Sequence, residues 1–256
     1  MTGPARARPD LPGQLAAITG ARGAWLTGAV GGLRRLSFVA GAFLVGSLAA
    51  GVADAFSDID LIVVVDDTTP AAVFADPVAG LGLGGRLLYV RPKPRNSPAG
   101  GAYRAVCLDL GGLPLLTDLY LWPAATGAVP AGAQVLLERT LLARSDLAFM
   151  ALLEHHRTTD TTGADPAAAE TTLMLIQLAA KYHARADTSR LAAIADQLGL
   201  PPDADALLLR QTLHQRGTAA IEPELQDAVA AVGELLTLAD EHRQTLADDR
   251  AGGEAG

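Results

Sequence analysis

The stretch from Phe43 to Val65 constrains the fold more than any other part of this 256-residue chain. A short apolar run, Phe43-Leu44-Val45, ends at Gly46-Ser47, and Asp58-Ile59-Asp60 opens a second run, Leu61-Ile62-Val63-Val64-Val65. Such runs read as buried strands. Side chains alternate between faces along a strand, so Asp58, Asp60, Ile62 and Val64 share one face, and Ile59, Leu61, Val63 and Val65 the other. Two carboxylates then stand side by side at the head of an apolar strand, roughly 6–7 Å apart. Close like charges repel, and burying them unpaired costs several kcal/mol. A divalent cation removes that cost. Carboxylates suit Mg²⁺, which keeps several waters and takes phosphate oxygens as further ligands.

Gly46-Ser47 adds the complementary half. With a strand ending at Gly46 and a helix over about 48–54, the glycine lets a ligand approach the backbone closely. The Ser47 hydroxyl then lies beside the free N–H groups of a helix N-terminus, a place for phosphate. The two halves together read as a site for a metal-bound nucleoside triphosphate.

The order Gly46-Ser47, ten residues, Asp58-Ile59-Asp60 resembles the signature of the polymerase-β-like nucleotidyltransferase superfamily, especially its minimal and antibiotic-modifying (aminoglycoside and lincosamide) branches. The resemblance implies an α+β chain. An N-terminal nucleotidyltransferase domain with a mixed sheet and helices would cover 1–124, and a helical substrate- and nucleotide-binding domain 125–256. The implied reaction moves a nucleoside monophosphate, AMP from ATP, onto a hydroxyl of a small molecule and releases pyrophosphate, with Mg²⁺ required. Asp58, Asp60 and Asp118 would be the catalytic, metal-holding carboxylates, Asp118 either binding a second metal or taking the acceptor's proton. Gly46 and Ser47 would hold terminal phosphates, and Lys181, on a helix of the second domain, would reach the triphosphate. One departure stands out: the family often reads Gly-Ser-x-Ala-Arg-Gly, and here Ala50 occupies the arginine position. Two alternatives remain, a protein-AMPylating enzyme of antitoxin type and a degenerate homologue that binds nucleotide or a partner without chemistry. The large helical half counts against the first, and the intact Asp58, Asp60 and Asp118 against the second.

Other residues carry weight of their own. Asp118 is a lone carboxylate in the apolar run Leu113–Pro123, on the face of Leu116 and Tyr120, and is costly there without a partner. Lys181 lies in an otherwise apolar helix, where a lysine either snorkels to water or meets an anion. Gln177, one turn earlier on the same face, holds the place where some family members carry a basic carboxylate, which leaves base duty to Asp118. Tyr182 reads as core packing. Glu154-His155-His156 makes a poor ligand set, because adjacent helical residues point different ways.

Composition bounds the remaining classes. Half the residues are hydrophobic and the net charge is −8, which argues against broad nucleic-acid binding. Cys107 is the only cysteine and its apolar neighbours make it a core thiol, so a reducing, cytoplasmic setting is the simpler expectation. Arg34-Arg35, the uncharged run 36–53 and Ala53-Asp54-Ala55 imitate a twin-arginine export signal, but Gly41, Gly46 and Gly51 interrupt the run, and cleavage there would leave Asp58 and Asp60 unexplained. No membrane partner is expected, and a homodimer is left open. The remaining elements read as follows: one or two helices over 12–37 broken near Gly20–Gly23; strands near 86–91 and 102–110; a flexible loop with Lys93 and Arg95; a boundary over 124–132; a helix capped by Ser145; then helices over about 166–186, 188–198, 203–216 and 222–246, with a disordered tail over 251–256.

Overall fold

The computed structural model describes residues 10–91, 96–156, 168–218 and 225–253. The cations Lys93 and Arg95, the expected helix start at Asp165-Pro166 and residues 254–256 of the expected tail lie outside them.

The first helix, α1 (Leu11–Leu33), starts where the Asp10 carboxylate accepts a hydrogen bond from the Gly13 N–H at 3.0 Å. It runs unbroken through Gly20 and Gly23, against the expected interruption. Ile18, Arg22, Trp25, Ala29 and Leu33 are all buried at helical spacing, and that burial outweighs the roughly 1 kcal/mol that each glycine costs a helix. Next come β1 (Val39–Val45), the single turn α2 (Gly46–Ala49), β2 (Ile59–Val65), the short α3 (Ala71–Ala75) and α4 (Pro77–Gly80), and β3 (Arg86–Val90). The strands β4 (Ala102–Asp109), β5 (Pro114–Pro123), β6 (Ala128–Val129), β7 (Gln134–Glu138) and β8 (Ala143–Arg144) follow. The helices α5 (Phe149–His156), α6 (Ala169–Ala184), α7 (Thr188–Gln197), α8 (Ala206–Thr218) and α9 (Gln226–Gly253) complete the described chain.

Six strands form one mixed sheet in the order β3-β4-β5-β2-β1-β7. Only the β2–β5 pair is parallel within it. β2 lies in the middle of the sheet because it is apolar on both faces. The export-like run 36–53 is β1 and α2, the former buried throughout. Among the described residues no helix is long and apolar enough to cross a membrane. The sixth strand, β7, comes from beyond residue 125, in the stretch expected to be helical. Two further expectations shift as well. Ser145 Oγ accepts from Leu147 N–H at 3.1 Å in a turn, and the helix begins only at Phe149. At the other end α9 continues to Gly253, past the expected start of the tail.

The two faces of the sheet are covered differently. On one, α1 packs Trp25, Ala29 and Leu33 over Leu61, Val63, Leu119 and Leu121. On the other, the α6–α9 bundle shares a core with Tyr89, Cys107 and Leu116. Farther along the strands α5 covers that same face: Phe149 meets Tyr120 edge-on at 4.7 Å, in a cluster with Ile62, Phe43 and Trp122. Between these two apolar clusters runs one row of polar residues.

Candidate active site

The row follows from strand register. Asp60 on β2 is the direct neighbour of Asp118 on the parallel strand β5. Val45 of β1 lies on one side of the pair, and Ala105 of β4 on the other. Neighbouring strands are about 4.8 Å apart, so the two carboxylates stand abreast on one face. Alternation carries Asp58 to that face too, one step beyond the end of β2.

At the Val45 end the chain turns sharply. Gly46 has φ +71°, a left-handed conformation that favours glycine, and a Cβ there would collide with Asp60 Oδ2. The two halves of the sequence signature are therefore in contact: the Gly46-Ser47 turn lies against the second aspartate of the Asp-x-Asp. The helix expected over 48–54 is only the turn α2. Gly51, at φ +71°, ends it, and Val52 N–H closes back on the Ser47 carbonyl at 3.1 Å.

The electrostatics are those of crowded anions. Burial pushes the Asp60 carboxyl up to about 7, and the charges of Asp118 and Asp58 add to the shift while Lys181 opposes it. Among the described residues no hydrogen bond is donated to Asp60. Asp118 is raised to about 6, again chiefly by burial, and the Tyr103 hydroxyl, which donates to its Oδ1 at 2.6 Å, holds it lower than it would otherwise be. Asp58 is ion-paired with Lys181 Nζ. All six residues expected at the site are thus gathered in one region. Gln177 is elsewhere engaged: its Oε1 accepts from Tyr89 OH at 2.8 Å and its Nε2 donates to the Pro114 carbonyl at 3.1 Å. It ties α6 to the sheet. Tyr182 packs at the edge of the same core, 5.7 Å from the Arg190 guanidinium. Cys107 is fully buried, as expected of a core thiol.

Among the described residues no three acidic, histidine or cysteine side chains converge as a cage for a metal ion. The donor set nevertheless fits one. Asp60 accepts no hydrogen bond among the described residues and is raised by burial and then by the neighbouring carboxylates, and a partly hydrated Mg²⁺ needs only one or two carboxylates beside phosphate oxygens. Glu154, His155 and His156 form no such set: His155 Nδ1 is engaged with the Ala151 carbonyl and His156 packs against Trp122.

Several residues at the site escaped the sequence reading. Arg22, buried in α1, donates from Nη1 to the Asp54 and Ser57 carbonyls at 2.8 and 2.9 Å. Arg185, at the end of α6, grips the Asp54 carboxylate through Nε and Nη2, both at 2.7 Å, and reaches Ser57 Oγ at 2.9 Å. Burial works against ionisation of Asp54, but these hydrogen bonds win and hold its carboxyl below the usual range. Two arginines thus clamp the segment that delivers Asp58. Arg22 was legible in principle, because it shares a helical face with Ile18, Trp25 and Ala29. Tyr103 required the β4–β5 register.

Fold and site geometry define an α+β unit with a row of carboxylates on one face of its sheet. Residues 29–93 match the family model described as nucleotidyltransferase domain, of the polymerase-β-like superfamily. That span covers Gly46, Ser47, Asp58 and Asp60, and Asp118 and Lys181 lie beyond it. No curated protein matches the chain. The domain supports nucleotidyl transfer as the general class of reaction.

Proposed function

We propose that the chain transfers a nucleoside monophosphate, AMP from ATP in the expected case, from a Mg²⁺-bound triphosphate to a hydroxyl of a small molecule. The observation that carries this reading is the contact between the Gly46 turn and Asp60, with Asp118 abreast of Asp60 on the next strand. Asp60 and Asp118, with Asp58 once released from Lys181, would hold the metal, whose charge neutralises the triphosphate and stabilises the oxygens of the displacement. Gly46 and Ser47 hold the terminal phosphates from the turn beside β1. Lys181, a half-buried cation among acids, exchanges Asp58 for a phosphate oxygen. The acceptor oxygen forms a bond to the α-phosphorus, the bond to pyrophosphate breaks, and the acceptor's proton passes to Asp118. A carboxyl raised to about 6 holds that proton better than an ordinary aspartate while remaining mostly ionised at neutral pH. Ala50 leaves the phosphates without the family's usual arginine, and Lys181 is the cation that answers it.

The test is calorimetric titration of a non-hydrolysable ATP analogue with Mg²⁺ and with chelator, on wild type and on D58A/D60A. Micromolar binding that needs both metal and aspartates is expected, after which hydroxyl acceptors, aminoglycosides and lincosamides among them, can be screened. A folded wild-type protein that binds no analogue removes the catalytic reading and leaves the degenerate binding module.

A further inference from the structure

Arg91 lies at the far end of the carboxylate row. Its N–H donates to the Ala105 carbonyl at 2.9 Å, one step beyond the last β3–β4 pair, so Arg91, Ala105, Asp118 and Asp60 follow one another across four strands. Tyr89, two residues earlier, faces Gln177 on the same side of the sheet, and alternation directs Arg91 to that side as well. Ala105 is small, and the Arg91 charge acts across it, lowering the carboxyl of Asp118 and the hydroxyl of Tyr103 without a hydrogen bond to either. Tyr103 and Tyr120, stacked at 4.6 Å, flank the same place from the next row.

Arg91 is half-buried, and its Nε is buried with no hydrogen-bond partner among the described residues. Other arginines of the sheet and its surroundings are engaged: Arg104 on the Tyr103 and Ala75 carbonyls, Arg22 on two carbonyls, Arg185 on Asp54. A guanidinium with an unfilled inward donor is costly, and an oxyanion is the ligand that fits its planar fork. The Gly46-Ser47 turn is at the opposite end of the row, beyond Asp60. An anion at Arg91 is therefore separated from the terminal phosphates by both carboxylates, on the side where an attacking hydroxyl must arrive.

The geometry points to Arg91 as the anchor for an acidic group, carboxylate or phosphate, on the acceptor, which makes the substrate an anionic hydroxyl compound rather than a cationic antibiotic. This inference rests on the transferase reading of the row. The side-chain Nε–H of Arg91 gives a direct readout by ¹H–¹⁵N NMR, assigned by its loss in R91Q. With Mg²⁺ and the ATP analogue bound, glycerol 3-phosphate or glycerate is expected to shift that resonance downfield, and glycerol to leave it in place. R91Q is expected to weaken glycerol 3-phosphate binding by about tenfold or more, the scale of a charge-assisted hydrogen bond, while analogue affinity stays within about twofold. If the analogue alone moves the resonance and R91Q weakens the analogue instead, the anion is the nucleotide's and the acceptor role is overturned. If neither glycerol 3-phosphate nor glycerate moves it, the anchor is overturned while analogue binding leaves the transferase reading standing. If wild type binds no analogue, the transferase reading itself falls, and with it the acceptor role.

Discussion

At the residue scale the site is a problem of charge at close range. Asp60 has its carboxyl raised to about 7 in the metal-free protein, well above the ordinary aspartate value near 4 of an unfolded chain. The folded state therefore binds a proton that the unfolded state has lost between those two values. Stability contributed by the protonated form is complete below about pH 4 and is lost as pH rises through about 7. In chelator, the urea midpoint of wild type should fall from pH 5 to pH 8, and D60N, which removes the ionisation, should overtake it at pH 8 by roughly 1–3 kcal/mol. Saturating Mg²⁺ should restore wild type more than D60N. Equal pH dependence of the two proteins would show that Asp60 is not the destabilising charge. Gly46 gives a second prediction. Alanine there must adopt φ +71° and push its Cβ into Asp60 Oδ2. G46A should remain folded, with a stability loss of about 1–3 kcal/mol, and bind the ATP analogue too weakly for calorimetry to detect.

At the element scale, the segment between α2 and β2 has no regular structure of its own, so side chains must fix it. Arg22, from α1, satisfies the part-buried Asp54 carbonyl and the buried Ser57 carbonyl. R22M should leave both unpaired and cost about 2–4 kcal/mol by chemical denaturation, even though methionine fills similar volume. The Arg185–Asp54 pair is more exposed, and R185A should cost no more than about 1 kcal/mol. Because R185A frees the chain four residues before Asp58, it should still weaken metal-dependent analogue binding. A variant whose affinity matches wild type would make this bridge incidental. The same elements show what the sequence made legible. The strands 59–65 and 114–123 were readable because each is a long apolar run whose alternation predicts which face carries Asp60 and Asp118. β7 was not: Gln134-Val135-Leu136-Leu137-Glu138 is a short edge strand in a Gly- and Ala-rich stretch, and only pairing with β1 makes it a strand. The early end of α2 was hidden as well, since the left-handed Gly51 that stops it could as easily have lain inside a helix. Arg91 and Tyr103 belong to the site through cross-strand register, which no local pattern encodes.

At the scale of the whole molecule, the helical half and the sheet share one core. Phe56, Leu88, Tyr89, Cys107 and Leu116 from the first part pack in the same cluster as Ile176, Leu209 and Leu236 from the bundle. Gln177 adds hydrogen bonds from α6 to Tyr89 and to the Pro114 carbonyl, and Lys181 joins Asp58 across the same junction. Covering a large apolar side chain is worth about 1.5–3 kcal/mol, so stripping the bundle from these five residues removes on the order of 10 kcal/mol. That is as large as the whole stability of an ordinary domain, about 5–15 kcal/mol. A fragment of residues 1–124 also loses β7, which exposes β1 as a sheet edge. This fragment should therefore fail to fold, giving a collapsed ¹H–¹⁵N spectrum, while the full chain unfolds in one calorimetric transition with equal van't Hoff and calorimetric enthalpies. Two resolved transitions, or a dispersed spectrum from the fragment, would establish independent domains meeting at the cleft. A single transition instead makes the carboxylate row part of a shared interior. In that case Q177A, which removes the acceptor shared by Tyr89 OH and Cys107 Sγ and the donor to the Pro114 carbonyl, should destabilise the whole chain by about 2–4 kcal/mol rather than loosen one half.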